Sequence, residues 1–355
     1  MIKSWLSKLG QAFAVALGVV SICFFLFYAL PGDPARMMMD QRENSEQLAR
    51  IKAKYGFDLP LGQQFVFYLN DLSPLSYHPN RGFASYDSNK YGGLIWLEGS
   101  EGKWVLKWPY LRESFQQGNL KVSDILISVF PNTLLLAVAA MAIALSLGIV
   151  LGMLAALKAH TTIDKALIVF SSLGMSLPSF FSAILVSWLF GYVLRAYTGL
   201  EMNGNLRELD DLGEAVHYRW KNLILPAFTL GIRPLGVIVQ LTRSSLLEVM
   251  QLDYIRTAKS KGLSAWQVMR FHALPNALIP VSTAASGWFA GMLAGSVFVE
   301  YIFGWNGLGK QVVEALQLLD LPVVMGSVLL IGLIFVLINM AMDVVYTYID
   351  PRLRV

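Results

Sequence analysis

The sequence is poor in the residues from which soluble enzymes build their active sites. Its 355 residues include one cysteine, Cys23, and four histidines that lie far apart. A single cysteine excludes a disulfide framework and a cysteine-based metal site within the chain. No histidine pair has the H-E-x-x-H spacing of a metalloprotease. We therefore expect no catalytic residue, no metal site and no cofactor bound by this chain.

Charged residues are also scarce. The chain is 15% charged and 55% hydrophobic, against about 25% and 45–50% in soluble domains. Its net charge of +4 comes from basic residues that are dispersed among loops rather than gathered on one face, which argues against nucleic acid as a partner. The composition predicts an integral membrane protein.

Long apolar runs give the first positive signal, because about 20 apolar residues are needed to span a bilayer. The first run, 9–30, is longer than the core of a signal peptide and is followed by Pro31 where cleavage would occur, so it predicts a retained helix. Five further runs are 125–157, 166–194, 223–247, 277–303 and 322–348. The pattern predicts an all-α polytopic membrane protein with six transmembrane helices.

The loops between these runs alternate in charge. Lys158 and Lys165 lie in one basic loop and 256–270 forms another, whereas the loops 201–214 and 300–320 are acidic. Because Lys and Arg in short loops mark the cytoplasmic side, we expect both chain ends in the cytoplasm and the protein in the cell inner membrane. The predicted domains are a first helix at 1–30, an external region at 31–121, a five-helix core at 122–348 and a cytoplasmic tail at 349–355.

The segment GWNGLGKQ, Gly304 to Gln311, matches all but the last position of the phosphate-binding loop G-x-x-x-x-G-K-[ST]. Gln311 stands where a hydroxyl must bind magnesium, and the preceding LAGSVFVEYIF is typical of the end of an apolar helix rather than of a strand. The charge pattern also places the segment outside the membrane, where no ATP is available. We therefore interpret its glycines as turn residues where the fifth helix ends.

The long external region contains two local signals. NSEQLARIKAKYGFDLP predicts a short helix that begins at an Asn or Ser cap. The β-prone runs 94–97 and 103–108 flank a glycine-containing turn, which predicts a small β-hairpin. The region is either a brace over the outer face or a docking surface for an external partner.

The cytoplasmic loop 248–275 carries the most specific local pattern. Ser264 to Gln267 forms a capping box, and Leu263 with Val268 can form the accompanying hydrophobic staple. Gly262 suits the left-handed position that ends a preceding helix. The loop is therefore predicted to be a helix, a sharp break and a second helix.

Small and basic residues alternate in the first of these helices. Ala258 lies four residues before Gly262, on one face if the helix extends that far, so a partner's backbone could approach closely there. Arg256, Lys259 and Lys261 surround this position with positive charge. A basic amphipathic helix lying on anionic lipid would have the same composition, so spacing alone leaves both interpretations open.

The loop resembles the EAA loop of the membrane subunits of ABC importers, although only Ala258, Gly262, Leu274 and Pro275 match its general consensus. DYIRTAKSKGL followed by HALPNALIP is similar to the dipeptide/oligopeptide branch of that family. LPGDPA, FPNTLLLAVAAMAIALSLGIVLGMLAA, EYIFGWNGLG and DVVYTYIDPRLR extend the resemblance to the branch's first permease subunit. The stretch 73–110 does not align and looks like an insertion.

The resemblance implies a type I ABC importer permease fold and a set of partners. These are a second homologous permease, two cytoplasmic ATPases that use ATP and Mg, an external peptide-binding protein, and the lipid bilayer. It also implies that the loop couples the permease to an ATPase. That coupling role falls on Asp253, Tyr254, Arg256, Thr257, Ala258, Lys259 and Gly262.

The cargo remains open at the level of sequence. Peptides are implied by the resemblance, while nickel chelates, glutathione and sugars are carried by close relatives of the same machine. A self-sufficient secondary transporter is the alternative class, and it would predict a strong membrane-buried acid or proton relay.

Arg233 is the one obvious charge in the middle of a predicted span, about ten residues into the fourth helix. Ionisable residues at that depth normally face a cavity or a partner, so Arg233 is a candidate for the translocation path. A snorkelling or structurally paired arginine is the alternative. Other candidates for the path, which could equally join helices through hydrogen bonds, are Asn132, Ser176, Ser179 and Gln240.

Overall fold

The computed structural model describes residues 2–29, 35, 45–80, 82, 84–118, 120–209 and 216–349. Most of the LPGDPA segment, the acidic residues 210–214 and the tail from residue 350 onward lie outside the described residues. The chain divides into two compact units. The sheet unit comprises Phe13–Ser128 and Glu314–Leu330, and the helical unit comprises Met1–Ala12, Val129–Val313 and Ile331–Val355.

The first third of the chain combines short helices with a small sheet. A helix and a hairpin were both predicted here, and both are confirmed at the predicted places. The helices are α1 (Ile2–Ala29), α2 (Ser45–Tyr55), α3 (Leu61–Leu72) and α4 (Ser88–Tyr91), and the strands are β1 (Leu75–Pro79), β2 (Leu94–Glu98) and β3 (Gly102–Leu106).

Long apolar helices dominate the rest of the chain. A second small hairpin, β4 (Arg207–Leu209) with β5 (Val216–Tyr218), lies in a predicted external loop and was not predicted. The helices are α5 (Val122–Leu157), α6 (Thr162–Ser176), α7 (Ser179–Trp188), α8 (Arg195–Thr198), α9 (Ile224–Val249), α10 (Asp253–Ser260), α11 (Ala265–Val268), α12 (Leu274–Gly295), α13 (Val297–Phe303), α14 (Leu308–Gln317) and α15 (Leu321–Ile349).

Helices occur at all six places where the sequence predicted a membrane span. In the described part of the chain, four are long and apolar enough to cross a bilayer. The described apolar stretch of the first predicted span, Phe13–Leu26 in α1, is shorter. The four long helices are Val122–Leu157, Trp220–Val249, Ala265–Ala294 and Leu321–Met342.

The third predicted span is broken rather than continuous. Thr162–Ser176 and Ser179–Val193 together are long and apolar enough to form a fifth span, but they meet at an angle of 108°. The break occurs because Leu177 and Pro178 adopt extended backbone angles, with ψ of 139° and 141°. A residue before proline is driven out of the helical region by its clash with the ring. The break in the third predicted span therefore lies at Leu177 and Pro178.

The sheet of the sheet unit has three antiparallel strands in the order β1-β3-β2. β2 and β3 form the predicted hairpin, and β1 pairs along the other edge of β3, from Leu75 opposite Leu106 to Pro79 opposite Gly102. A Cβ at Gly102 would lie 2.6 Å from the carbonyl oxygen of His78. Glycine at this position therefore allows β1 to approach β3.

His78 anchors the inner face of β1. Its side chain is fully buried, Nδ1 donates to the Ala84 carbonyl oxygen at 3.0 Å, and Nε2 lies 2.9 Å from the Ser76 hydroxyl. Because a carbonyl can only accept, Nδ1 carries a proton. Burial lowers the pKa of His78, which favours the neutral form of the ring.

Apolar side chains join the helices of each unit. In the sheet unit, Phe24 of α1 and Tyr68 of α3 pack with Met325 and Leu329 of α15. In the helical unit, one continuous cluster contains residues of α5, α9 and α12, among them the fully buried Ile238. Burying apolar surface in this way is the main stabilising contribution outside the lipid-facing surface.

The GWNGLG segment forms the turn between α13 and α14, as predicted. Gly304 ends α13 in the left-handed conformation with φ of +67°. The fully buried Glu300 carboxylate accepts hydrogen bonds from Ser296 Oγ at 2.8 Å and from the backbone N–H of Gly309 at 2.6 Å. Thr133 Oγ1 accepts from the N–H of Leu308 at 2.8 Å. The free N–H groups at the start of α14 are thus capped by side chains.

Candidate functional site

The loop 248–275 has the predicted arrangement of helix, break and helix. α9 ends at Val249, α10 occupies Asp253–Ser260, and Gly262 is left-handed with φ of +83°. The capping box is formed, since Ser264 Oγ accepts from the N–H of Gln267 at 3.3 Å and Gln267 Oε1 accepts from the N–H of Ser264 at 2.9 Å. A widened helical turn, Met269–Ala273, then links α11 to α12. The second helix of the loop is thus the beginning of a membrane-spanning helix.

One face of α10 packs on the chain's own apolar cluster. Ile255 and Ala258 are 0% and 5% exposed and contact a group that includes Met153, Leu246 and Val268. Ala258 was expected to receive a partner's backbone, and this expectation requires correction, because its side chain is buried within the protein. The helix also ends at Ser260, so Gly262 lies beyond it rather than on the same helical face.

The opposite face of α10 is open and carries most of the predicted coupling residues. Arg256 and Asp253 form an exposed ion pair at 3.2 Å, with side chains 76% and 94% exposed. We call the exposed residues of this face, together with the exposed residues of the turn that follows it, the coupling surface. Its predicted members are Asp253, Tyr254, Arg256, Thr257, Lys259 and Gly262.

The coupling surface also includes three exposed apolar side chains that were not predicted from the sequence. Leu252 is 47% exposed, Trp266 46% and Phe271 64%. Aromatic residues beside arginine are typical of protein interfaces. The sequence alone does not identify these three residues as part of a protein interface, because an isolated apolar residue in a basic amphipathic segment also suits a lipid surface.

Tyr254 connects α10 to the helix that follows. Its hydroxyl accepts a hydrogen bond from Asn276 Nδ2 at 2.7 Å and lies 3.5 Å from the carbonyl oxygen of His272. Asn276 belongs to the first turn of α12. The hydrogen bond therefore joins α10 to the first turn of a helix that is long and apolar enough to span a membrane.

Arg233 lies beside a small cavity in the helical unit. Its Nε atom is buried and, within the described part of the chain, has no hydrogen-bond partner. A buried unpaired donor of this kind is costly. The cavity has a volume of about 80 Å³ and is lined by Leu230, Arg233, Pro234, Trp288, Gly291 and Met292.

The other predicted path residues occupy different local environments. Asn132 Nδ2 donates to the carbonyl oxygen of Asn306 at 2.7 Å, which commits its side chain to the turn before α14. Gln240 Nε2 donates to Ser172 Oγ at 2.9 Å. Ser176 is exposed at the end of α6, and Ser179 begins α7 after the bend. None of these four is among the residues that line the cavity beside Arg233.

A buried ion pair between Asp164 and Arg243 was not predicted. Arg243 Nε and Nη2 lie 2.6 and 2.7 Å from the two carboxylate oxygens of Asp164, and the N–H of His160 donates to the same carboxylate at 2.8 Å. The pair joins the start of α6 to α9. No local pattern could reveal it, because the partners are 79 positions apart.

No metal site was found among the described residues. In that part of the chain, no group of three or more His, Cys, Asp or Glu side chains could hold a metal ion.

Comparison with known proteins gives concordant matches. Residues 148–355 match the family described as binding-protein-dependent transport system inner membrane component, and residues 1–79 match its N-terminal family. The chain is 33% identical to the di/tripeptide transport system permease protein DppB of Pseudomonas aeruginosa, covering 98% of this chain and 97% of that one. It is 31% identical to the dipeptide transport system permease protein DppB of Escherichia coli, covering 100% and 99%.

A solved structure shares the fold. A chain of the MetNI methionine ABC transporter, in an inward facing conformation, matches with a TM-score of 0.51 at 18% identity, covering 64% of this chain and 97% of that one. At this identity the similarity concerns the fold alone. The helical arrangement of this chain is therefore that of an ABC importer permease.

Proposed function

The chain belongs to the binding-protein-dependent transport system inner membrane component family, and we propose that it carries peptides through the membrane at the expense of ATP hydrolysed by a separate subunit. Its relatives over the whole length are named as dipeptide and di/tripeptide permeases. The cargo of this chain is accordingly a peptide delivered by an external binding protein. Nickel chelates, glutathione and sugars are the alternative cargoes of the same machine.

The observation that carries the proposal is the construction of α10. The helix is fixed to the protein by the buried side chains of Ile255 and Ala258, while its basic face is exposed. About eight helical residues span roughly 12 Å, which is a rigid element of suitable size for a groove on a cytoplasmic ATPase. Through Tyr254 and Asn276, movement of the ATPase would act on α12.

We also propose the partner set that membership of the family implies. A second, homologous permease completes the path, two ATPases bind ATP and Mg, and an external protein delivers the peptide. The three-stranded sheet and the segment that follows it are the surface that we assign to contact with the external protein, since Trp96 of β2 is 72% exposed and Trp108, two residues beyond β3, is 88% exposed.

Gly262→Trp tests the coupling role. A Cβ at Gly262 would have no neighbouring atom within 4 Å, so the indole projects from the coupling surface without disturbing the internal packing of the chain. Its left-handed backbone adds a strain of about 1–3 kcal/mol in a residue other than glycine. We expect an assembled complex that no longer takes up a radiolabelled dipeptide in proteoliposomes.

The matched control is Gly118→Trp, because Gly118 is also left-handed, with φ of +58°, and also has open space around its Cβ. It lies in the sheet unit, and we expect uptake close to that of the wild type. Wild-type uptake by Gly262→Trp would contradict the coupling role.

Purification of the tagged wild-type chain tests the partner set. We expect it to recover an ATPase subunit together with the chain. Transport by the chain alone without ATP would instead favour a secondary transporter.

A further inference from the structure

A cavity of about 460 Å³ lies entirely within the sheet unit. Its volume is in the range of about 300–1,000 Å³ found for small-molecule sites. The wall combines three carboxylates, two cations and two tyrosine rings. Its lining residues are Ala53, Tyr55, Asp71, Asp87, Asn89, Lys90, Tyr110, Arg112 and Glu113.

One pair of opposite charges in the wall is already neutralised. Arg112 Nε donates to Asp71 Oδ2 at 2.9 Å, and the two side chains are 21% and 10% exposed. The Arg112 guanidinium also lies 5.0 Å from the centre of the Tyr68 ring. Arg112 has a φ of +66°, a strained conformation that is maintained only where the surroundings impose it and that is frequent at ligand sites. The pair forms a rigid wall of the cavity.

Lys90 is the second cation in the wall and forms no ion pair with a described residue. Its Nζ lies 4.8 Å from the centre of the Tyr91 ring and 5.5 Å from that of Tyr110. Among the described residues no carboxylate forms an ion pair with it, although Asp71, Glu113 and Asp87 lie near enough to favour its charged form. Burial lowers the pKa of Lys90, as expected for an ammonium group that has lost part of its hydration. A carboxylate bound beside it would compensate for that loss.

Negative charge remains elsewhere in the wall. Asp87 caps α4 by accepting from the N–H of Asn89 at 2.9 Å and is exposed to the solvent. Glu113 contributes a second carboxylate and pairs through its backbone with Lys121. Because Asp71 and Arg112 are paired, the charged side chains of the wall that form no ion pair with a described residue are Lys90, Asp87 and Glu113.

We propose that this cavity binds a small zwitterion that bears both an ammonium and a carboxylate group, such as an amino acid or a short peptide. The ligand carboxylate contacts Lys90, its ammonium contacts Glu113 and Asp87, and its side chain lies against Tyr55 and Tyr110. A simple anion would leave the two acids uncompensated. A simple cation would leave Lys90 without a partner.

This binding requires neither ATP nor a second subunit, so it does not rest on the proposed transport function. The test is isothermal titration of the full-length chain, in lipid nanodiscs, with the dipeptide L-alanyl-L-phenylalanine. Its N-acetyl and C-terminal amide derivatives each lack one of the two charges. We expect the dipeptide to bind at least about tenfold more tightly than either derivative, as the loss of one charged hydrogen bond implies.

Two variants assign the charges within the cavity. Lys90→Gln should weaken binding of the free dipeptide about tenfold and leave binding of the amide unchanged, because the amide has no carboxylate to lose. Glu113→Gln should weaken the free dipeptide and leave the N-acetyl form unchanged. The control is Lys103→Gln, since Lys103 pairs with Glu98 on the sheet and does not line the cavity. Thermal unfolding of each variant verifies that it is folded.

Three results would overturn the proposal. They are equal binding of the free and blocked dipeptides, wild-type binding by folded Lys90→Gln, and no binding by the wild type at millimolar dipeptide. Retained binding in Lys90→Gln that is lost in Arg233→Gln would place the ligand in the helical unit instead. Failure of the Gly262→Trp uptake test would concern transport only and leave the cavity assignment intact.

Discussion

Gly304 permits a left-handed turn, and the glycines at 307 and 309 each permit a contact that a larger side chain would prevent. Gly304 is left-handed, a Cβ at Gly307 would lie 2.5 Å from both Glu300 Oε2 and Thr133 Oγ1, and one at Gly309 would collide with the backbone of Val297. The similarity to a phosphate loop therefore has another cause. Glycine is required here because a buried carboxylate, rather than a nucleotide phosphate, occupies the N-terminus of α14.

Arg233 leads to a prediction for the translocation path. If the Nε–H group of Arg233 contacts the transported peptide, Arg233→Gln should lower uptake of peptides with a free C-terminal carboxylate. The expected decrease is about tenfold, which corresponds to the loss of one charged hydrogen bond. Uptake of C-terminally amidated peptides should change little. Competition between the two peptide types in the proteoliposome assay measures the difference.

Arg233→Lys is the matched control for the charge. It retains the positive charge and should preserve most of the preference for the free carboxylate, with some loss because Lys lacks the planar donor geometry. Equal uptake of both peptide types by the wild type and by Arg233→Gln would identify Arg233 as a structural residue.

At the scale of elements, the buried pair Asp164–Arg243 fastens two helices. Asp164→Asn keeps the volume of the side chain but leaves the Arg243 guanidinium without its counter-ion, and the two side chains are 3% and 20% exposed. Breaking a buried pair in this way costs about 3–5 kcal/mol. We expect a clear fall in the thermal unfolding temperature of the detergent-solubilised protein.

The chain also offers an exposed pair as a control for that measurement. Arg195 and Glu201 lie 3.3 Å apart with side chains 64% and 42% exposed, and exposed pairs contribute about 0–1 kcal/mol. Arg195→Gln should therefore shift the unfolding temperature very little. A shift for Asp164→Asn no larger than that of Arg195→Gln would show that the two helices are held by other contacts.

At the scale of the whole molecule, the alternating loop charges predict an orientation that labelling can test. Replacing Cys23 by Ser removes the single cysteine, and a new cysteine can then be placed at Lys259 or at Glu98, both of which are exposed. A membrane-impermeant maleimide should label Glu98→Cys in right-side-out vesicles and Lys259→Cys only in inverted ones. Labelling of both from the same side would refute the predicted topology.

Local properties of the sequence determined much of this protein. The positions of the apolar helices, the capping box at Ser264, the turn at Gly262 and the hairpin 94–106 each depend on residues within a few positions of one another. Hydrophobic length, caps and turn chemistry act over that distance. For the same reason the resemblance of short motifs identified the family before any tertiary contact was known.

Only the tertiary structure decided which residues meet. Pairing of β1 with β3, burial of Ala258, the Asp164–Arg243 pair and the cavity around Lys90 all join segments that are distant in sequence. Such contacts depend on how whole elements pack. Ala258 illustrates the difference, because the sequence shows that its side chain is small but not what that side chain contacts. Whether it faced a partner or the protein's own apolar cluster depended on the rotation of α10 against α5 and α9.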